Sequence, residues 1–242
     1  MFLNKFLSQS GISSRRKAVN EIKNGHVSVN GHVIKDPAFR VKESDTVTYK
    51  GKKIQQEKHI YILLNKPEGY ITAVSDTHGH KHVMDLIDLR GKVRLFPVGR
   101  LDKDSTGLLL ITNDGDLAQK LAHPKYEISK LYEVVLDQNF DSEFFAKLLQ
   151  GIKLKDGISK ADKIFYTKRS SRKKISIEIH SGKNRVVRRL FKSLGYNVVK
   201  LDRVEYATLS KRGLNKGEWR YLTGEEVKKL KARHFEYAEP VV

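Results

Sequence analysis

The segment GRLDKDSTGLLLITNDGD, residues 99–116, places charged side chains in a short loop between two apolar runs. Its glycines permit close backbone turns, and a loop held by two buried strands is well suited to fix a carboxylate in one orientation. Arg100, Asp102 and Asp104 are the candidates for chemistry in this loop. Aspartates also stabilise turns by accepting backbone hydrogen bonds, so the loop alone leaves open which of the two would react, if either does.

The run KLYEVVL, residues 130–136, alternates in the way that a half-buried strand does. Tyr132 is its aromatic residue. A tyrosine in such a strand either belongs to the core or presents a ring and a phenol to a ligand, and the strand pattern does not decide between these two roles.

The stretch GKNRVVRRLFKSLGY, residues 182–196, predicts an amphipathic helix. Its apolar stripe consists of Val187, Leu190, Phe191 and Leu194. Its basic stripe repeats the same spacing at Arg185, Arg188, Arg189 and Lys192. Aligned cations repel one another unless an anion lies against them, so the basic stripe is either a solvated face or a surface that holds anionic groups.

Two further basic segments carry weaker signals. His78, His80 and His82 alternate, and strand geometry would put all three on one face, as a metal site requires. No carboxylate pattern supports a metal there and Lys81 adds charge, so we favour a basic loop near an anionic partner. The run 168–174 reads as a basic hairpin tip that is either solvated or in contact with phosphate.

The composition narrows the class of partner. The chain has 242 residues, no Cys, and 47 basic against 28 acidic residues, a formal net charge of +19. Such a charge on a chain with 39% hydrophobic residues indicates a folded protein that binds a polyanion, and nucleic acid is favoured over anionic lipid because no basic amphipathic membrane helix is evident. No apolar run approaches the roughly 18 residues of a membrane span, so we expect a cytoplasmic protein with no membrane partner.

The elements that would position these residues suggest an α+β class. Residues 61–67, 94–98, 108–112, 130–136 and 175–179 predict strands, and a helix is expected around residues 117–122. The strands outnumber the helices and do not follow a βαβ repeat. We therefore predict a mixed, mainly antiparallel sheet flanked by helices, in a domain that covers residues 60–232 and precedes a C-terminal tail at 233–242.

Residues 1–58 predict a small domain of their own. They carry 12 basic and 5 acidic residues, a net +7, and contain two short helices followed by strands. Ser13 or Ser14 can cap the second helix, and Asn30-Gly31 supplies the two positive-φ positions of a tight hairpin. The polar segment at 51–59 predicts a linker.

This N-terminal region resembles the S4 RNA-binding domain. The resemblance lies in Leu3, Lys5, Phe6 and Leu7, in SRRKA at 14–18, and in the G-x-V-x-V-N-G run at 25–31. It implies an α-L type fold that presents the second helix and the hairpin to structured RNA. The RNA-binding residues that follow from the resemblance are Arg15, Arg16, Lys17, Lys23 and Asn30.

The second region is similar to the RNA pseudouridine synthases of the RsuA/RluB type. The nucleophile motif of that family stands here as Gly99-Arg100-Leu101-Asp102, followed by Ser105-Thr106-Gly107 and by the TNDG turn at 112–115. KLYEV and GKNRVVRRLF resemble two further family motifs. The resemblance makes Asp102 the nucleophile, Tyr132 the ring against the target base, Arg188 the ion-pair partner of Asp102, and Arg100 a group that helps displace the nucleotide. RNA binding is implied for Lys183, Asn184, Arg185 and Arg189, the two arginines as phosphate ligands.

The resemblance implies a monomeric isomerase that converts one uridine of ribosomal RNA to pseudouridine and needs no cofactor and no metal. The spacing of HPKYEISKLY favours the branch that acts on the large ribosomal subunit, with free RNA or an assembly intermediate as substrate. Alternatives are a small-subunit synthase and a non-catalytic S4-type assembly factor. A metal-dependent nuclease that uses Asp102, Asp104, Asp114 and Asp116 is the weakest rival.

Overall fold

A computed structural model describes residues 1–89, 93–167 and 171–232. The predicted tail at 233–242 and residues 168–170 of the basic run lie outside the described residues. The chain divides into two compact units. One comprises Met1–Ile60, Leu89–Leu95 and Asn113–Gly115, and the other comprises Tyr61–Asp88, Phe96–Thr112 and the chain from Asp116 onward. Within the described residues, no helix combines the length and apolar character needed to cross a membrane.

The first unit begins with two helices and continues with a small antiparallel sheet. The helices are α1 (Leu3–Gln9) and α2 (Arg15–Lys23), and the strands are β1 (Val27–Val29), β2 (His32–Val33), β3 (Val47–Tyr49) and β4 (Lys52–Lys53). The strand order is β2-β1-β3-β4. Ser14 is the cap of α2, since its Oγ accepts from the Lys17 amide at 3.2 Å. Asn30 and Gly31 have φ of 50° and 81°, as the predicted hairpin requires.

The core of this unit joins the helices to the sheet. Leu3 and Leu7 of α1 pack with Ala18 and Ile22 of α2, and β1 contributes its two valines to the same cluster. These residues recur at helical spacing in the helices and at alternate positions in β1, which is why the sequence folds locally in this way. The face of α2 opposite Ala18 and Ile22 is left to charged residues.

The second unit contains the other eleven strands and four helices of the described chain. The strands are β5 (Tyr61–Lys66), β6 (Phe96–Pro97), β7 (Thr106–Thr112), β8 (Lys130–Leu136), β9 (Ile152–Leu154), β10 (Gly157–Ser159), β11 (Lys163–Tyr166), β12 (Lys174–Ile179), β13 (Val198–Tyr206), β14 (Leu209–Ser210) and β15 (Trp219–Tyr221). The helices are α3 (Gly115–Ala122), α4 (Phe144–Gln150), α5 (Val186–Ser193) and α6 (Gly224–Ala232).

The main sheet is mixed and mainly antiparallel. Its order is β11-β12-β8-β13-β7-β5-β15, with β14 paired to β13 and β6 paired to β7. The β13–β7 pair is parallel, with Arg203 opposite Gly107, whereas β8 and β13 run antiparallel with Arg203 opposite Tyr132. The predicted α+β class is confirmed, and the sheet brings the loop before β7 next to strands that follow it by 30 to 100 residues along the chain.

Helices α3 and α6 cover the core of the sheet. Leu63 and Leu108 pack with Leu117 and Leu121 of α3 and with Leu230 of α6. These five leucines are almost completely buried. Burying a leucine stabilises the fold by about 1.5–3 kcal/mol. This packing makes β5 and β7 a rigid base for the polar loop at 99–105.

Candidate active site

A cleft of about 350 Å³ opens in the second unit beside the loop at 99–105. Its rim is polar and exposed, and its floor is formed by buried side chains of β8, β12 and β13. The predicted site residues that line the cleft are Arg100, Asp102, Tyr132, Lys183, Asn184 and Arg185. Arg188 and Arg189 lie on the following helical turn, outside this lining.

The backbone on both sides of Asp102 is held by neighbouring groups. The Thr72 hydroxyl donates to the Leu101 carbonyl at 2.7 Å and accepts from the Leu101 amide at 3.1 Å. The Gly69 amide donates to the Lys103 carbonyl at 2.9 Å. These bonds hold the loop at the residues directly before and after Asp102, which limits the positions that the Asp102 side chain can take.

Lys66 supports the same loop from below, and our sequence prediction missed it. This side chain is completely buried at the end of β5. Its Nζ donates to the carbonyls of Ser105 at 2.7 Å, Asp102 at 3.0 Å and Pro67 at 3.1 Å. Burial lowers the pKa of Lys66 to about 8, although Asp104 and Asp102 act in the opposite direction. A lysine inside the apolar run YILLNKP was the available signal, because lysine is seldom buried without partners.

The lowered pKa of Lys66 predicts a stability that depends on pH. Between pH 8 and 10.5 the unfolded chain binds more protons at this group than the folded one, so the contribution of Lys66 to stability increases with pH. We expect the unfolding free energy of the wild type, relative to Lys66→Met, to increase by up to about 3 kcal/mol across this interval. Urea unfolding followed by the fluorescence of Trp219 measures it, and a difference that is constant with pH would contradict the shift.

Asp102 is paired with Arg185, not with Arg188 as the resemblance implied. Arg185 Nη1 lies 3.2 Å from Asp102 Oδ2. The same guanidinium donates to both carboxylate oxygens of Asp104, at 3.1 and 2.8 Å. Arg185 therefore bridges the two aspartates between which the loop sequence alone did not decide. Hydrogen bonds from Arg185 lower the pKa of Asp104.

The Arg188 side chain binds the backbone of the loop at Asp104. Its Nη2 donates to the Asp104 carbonyl at 3.0 Å and its Nη1 to the Val198 carbonyl at 2.7 Å, while Nη2 also lies 3.2 Å from Asp104 Oδ2. The Arg188 side chain is 13% exposed. Arg188 therefore ties the loop to β13, and Arg185 is the residue that forms an ion pair with the Asp102 carboxylate.

The basic stripe of α5 is held largely by carboxylates of the protein itself. Arg189 forms a bidentate pair with Asp156, at 2.7 and 2.9 Å, and this pairing raises the pKa of Arg189. Arg185 precedes the helix in a left-handed conformation, at φ 47°. Aspartates of the protein thus supply the anionic groups that Arg185 and Arg189 require. Lys192, the last residue of the stripe, is exposed.

Tyr132 lies in the floor of the cleft, 8% exposed, on the strand between β12 and β13. Lys130, two residues earlier and on the same face of β8, is a half-buried cation that our sequence prediction missed. Its Nζ donates to the carbonyls of His180 at 2.7 Å and Ile128 at 2.8 Å, and burial lowers its pKa to about 8. Arg100 lies exposed at the rim.

The candidate RNA-binding residues of the first unit are mostly free to meet a partner. Arg15, Arg16, Lys17 and Lys23 are exposed on α2. Asn30 differs, because its amide donates to Asp45 at 2.9 Å and its side-chain oxygen accepts from the Thr46 amide at 2.9 Å. Asn30 therefore stabilises the hairpin within the unit.

The three histidines lie outside the named strands, in line with the loop that we favoured, and do not share the strand face that a metal site would require. The amides of His78 and His80 both donate to Asp76 Oδ2, at 2.9 and 2.7 Å, so they form a turn, whereas His82 lies near Asp85. In the described ranges, no group of three or more His, Asp or Glu side chains is arranged to hold a metal ion.

Comparison with known proteins agrees with this arrangement. The RNA pseudouridylate synthase family profile matches residues 60–193 and the S4 domain profile matches residues 3–47. Ribosomal large subunit pseudouridine synthase B of Bacillus subtilis (strain 168) is 44% identical over 233 residues, 95% of each chain. Dual-specificity RNA pseudouridine synthase RluF of Escherichia coli (strain K12) is 36% identical and covers 93% of this chain and 76% of its own. A crystal structure of a pseudouridylate synthase, 28% identical, covers 95% of this chain and 99% of its own, with a TM-score of 0.68.

A small S4-type module followed by a mixed sheet, whose cleft presents Asp102 among several cations, is typical of an RNA-modifying enzyme. The chain belongs to the RNA pseudouridylate synthase family and carries an S4 domain in its N-terminal part. It is an isomerase that converts uridine in RNA to pseudouridine, as the motifs predicted, and this activity is favoured over a non-catalytic S4-type factor. The predicted S4 and synthase folds are both confirmed.

Proposed function

We propose that this enzyme modifies ribosomal RNA, and within it a uridine of the large subunit. The observation that carries the proposal is the 44% identity, over 95% of both chains, to a relative whose name assigns it to the large ribosomal subunit. The HPKYEISKLY spacing favours the same branch. The match to a dual-specificity synthase keeps a small-subunit or second target as the alternative.

In this proposal Asp102 is the nucleophile. Its carboxylate attacks C1′ as the bond from N1 to C1′ breaks, and it leaves again when C5 of the uracil bonds to C1′. Arg185 pairs with the Asp102 carboxylate and orients it, and Lys66 and Thr72 fix the backbone on which it sits. Support for the assignment is that Asp102 lines the cleft and pairs there with Arg185, whereas Asp104 lies outside the cleft lining and is held by both Arg185 and Arg188.

The cleft suits an intermediate that water would destroy. Apolar side chains from β12, β13, α5 and the segment just before β8 form much of its floor; they are Ile128, Ile179, Val187 and Leu201. Excluding water protects the sugar ester until the uracil has turned. Tyr132 would pack against the uracil and exchange a proton with it, and Arg100 at the rim would occupy the gap that the flipped nucleotide leaves.

Docking of the RNA is assigned to residues 1–58 and to the rim of the cleft in residues 60–232. The exposed cations of α2 would contact phosphates, as would Lys183 and Asn184. Arg185 and Arg189 were implied as phosphate ligands, but their pairing with aspartates makes that role secondary. One chain supplies every cleft residue named here, so a monomer suffices, acting in the cytoplasm on free RNA or on an assembly intermediate.

The test is a map of pseudouridines in ribosomal RNA from cells with and without this protein. We expect one position in the large-subunit RNA to lose its pseudouridine, and to regain it when the wild-type chain is supplied. Loss of a small-subunit site instead would overturn the large-subunit assignment. Restoration of normal ribosome assembly by an inactive Asp102→Asn chain, with the site unmodified, would show a separate non-catalytic role.

A further inference from the structure

The floor of the cleft holds a buried guanidinium that the roles proposed so far do not use. Arg203 is 2% exposed and lines the cleft from β13, directly opposite Tyr132 in the register of the sheet. Its Nε donates to the Leu108 carbonyl at 2.8 Å, and its Cζ lies 4.5 Å from the centre of the Tyr206 ring. The side chain is therefore fixed in place.

Arg203 lacks a partner for part of its charge. Its Nη2 is buried without a hydrogen bond, and in the part of the chain that the structure describes no carboxylate forms an ion pair with it. Lys130, in the same floor, adds a second cation, and Arg203 contributes to the lowered pKa of Lys130. A buried cation without a counter-ion destabilises the fold by several kcal/mol, so a ligand that brings negative charge would relieve it.

We propose that Arg203 binds the uracil ring of the target nucleotide and stabilises the negative charge that this ring carries during the reaction. This role depends on the reaction proposed above. When the N1–C1′ bond breaks, its electron pair stays on the uracil and spreads to the two carbonyl oxygens, while Asp102 bonds to C1′. Later C5 bonds to C1′, the Asp102 carboxylate is released, the proton on C5 is lost and N1 gains a proton.

The depth of Arg203 favours the base over a phosphate as its ligand. A phosphodiester is joined to the chain on both sides and stays near the rim, where Arg100, Lys183 and Asn184 lie. The flipped base is the part of the nucleotide that can reach a group 2% exposed. A fixed donor in a dry site is worth far more to a developing anion than to a neutral carbonyl, so Arg203 would act mainly on the rate of the reaction.

The test compares Arg203→Gln, which removes the charge, with Arg203→Lys, which keeps it, on RNA with uridine or 5-fluorouridine at the target position. Fluorine stabilises the uracil anion. With enzyme in excess, we expect Arg203→Gln to slow loss of the uridine N-glycoside about 100-fold, with an RNA Kd within about threefold of the wild type. Arg203→Lys should be intermediate, and with 5-fluorouridine the deficit of Arg203→Gln should shrink about tenfold.

Other outcomes overturn the proposal. If Arg203→Gln slowed the reaction equally on both substrates, Arg203 would have a structural role. If Arg203→Gln raised only the RNA Kd and left the rate unchanged, Arg203 would contact a phosphate. If Arg203→Gln does not fold, as shown by Trp219 fluorescence, the comparison of the two substrates is made with Arg203→Lys. Failure of the wild type to form pseudouridine in any ribosomal RNA would count against the reaction itself. The wild-type measurement on the uridine substrate tests this separately from the comparison of variants.

Discussion

Replacement of Asp102 by Asn is expected to abolish pseudouridine formation while leaving the affinity for RNA within a few fold. The amide keeps the shape of the side chain and the contacts of its backbone with Lys66, but it cannot attack C1′. Loss of a nucleophile lowers turnover by about 1,000-fold or more. Tritium release from RNA that carries [5-³H]uridine measures turnover, and filter binding measures the affinity.

Asp104→Asn is the matched control, because it removes one charge from the same loop. Asp104 points to Arg185 and Arg188, outside the lining of the cleft, so we expect this variant to retain measurable product formation. Tritium release at the wild-type rate from Asp102→Asn would show that Asp102 is not the nucleophile. Loss of release from Asp104→Asn alone would move the assignment to Asp104.

Local features of the fold could be predicted because short-range patterns determine them. Ile175, Ile177 and Ile179 alternate in the sequence, and all three are buried in β12. Asn30-Gly31 has the backbone that a two-residue hairpin demands. In each case neighbouring residues decide the conformation, and packing against the rest of the protein does not change it.

The partner of Asp102 could not be predicted because it depends on one backbone angle. The predicted basic stripe places Arg185 within the helix, in line with Arg188. Arg185 instead adopts φ 47° and α5 begins at Val186, which turns the guanidinium toward the aspartates of the loop. A left-handed arginine is not signalled by any neighbouring residue type, since such positions usually hold Gly or Asn.

Two buried cations, Lys66 beneath the Asp102 loop and Arg203 in the cleft, were missed for a different reason. Lys66 and Arg203 act through carbonyls that are 36 to 95 residues away in the sequence. These contacts exist only because β7 lies between β5 and β13 in the sheet. The periodicity of the sequence predicts individual strands but cannot specify which strands lie side by side. A sequence pattern identifies a charged residue in an apolar strand, but only the tertiary fold shows which groups satisfy it.

Gly107 is the residue on which this parallel pairing depends, and Gly107→Ala is expected to destabilise the second unit strongly. Gly107 has φ 109°, a conformation that L residues rarely adopt. An added Cβ would lie 2.3 Å from the Arg203 carbonyl oxygen and 2.5 Å from its amide nitrogen. Because both obstacles are backbone, β7 and β13 must separate. We expect the unfolding free energy to fall by about 3 kcal/mol or more, as measured by urea unfolding with Trp219 fluorescence.

Gly224→Ala provides the control, since a Cβ at the start of α6 meets no atom within 4 Å and its φ is not positive. We expect this change to alter stability by at most about 1 kcal/mol. Gly107→Ala should also lower turnover in whatever fraction remains folded, because β7 follows the Asp102 loop while β13 carries Arg203 and pairs with the strand of Tyr132. Equal unfolding free energies of Gly107→Ala and Gly224→Ala would contradict the close approach of β7 and β13 at Gly107 and Arg203.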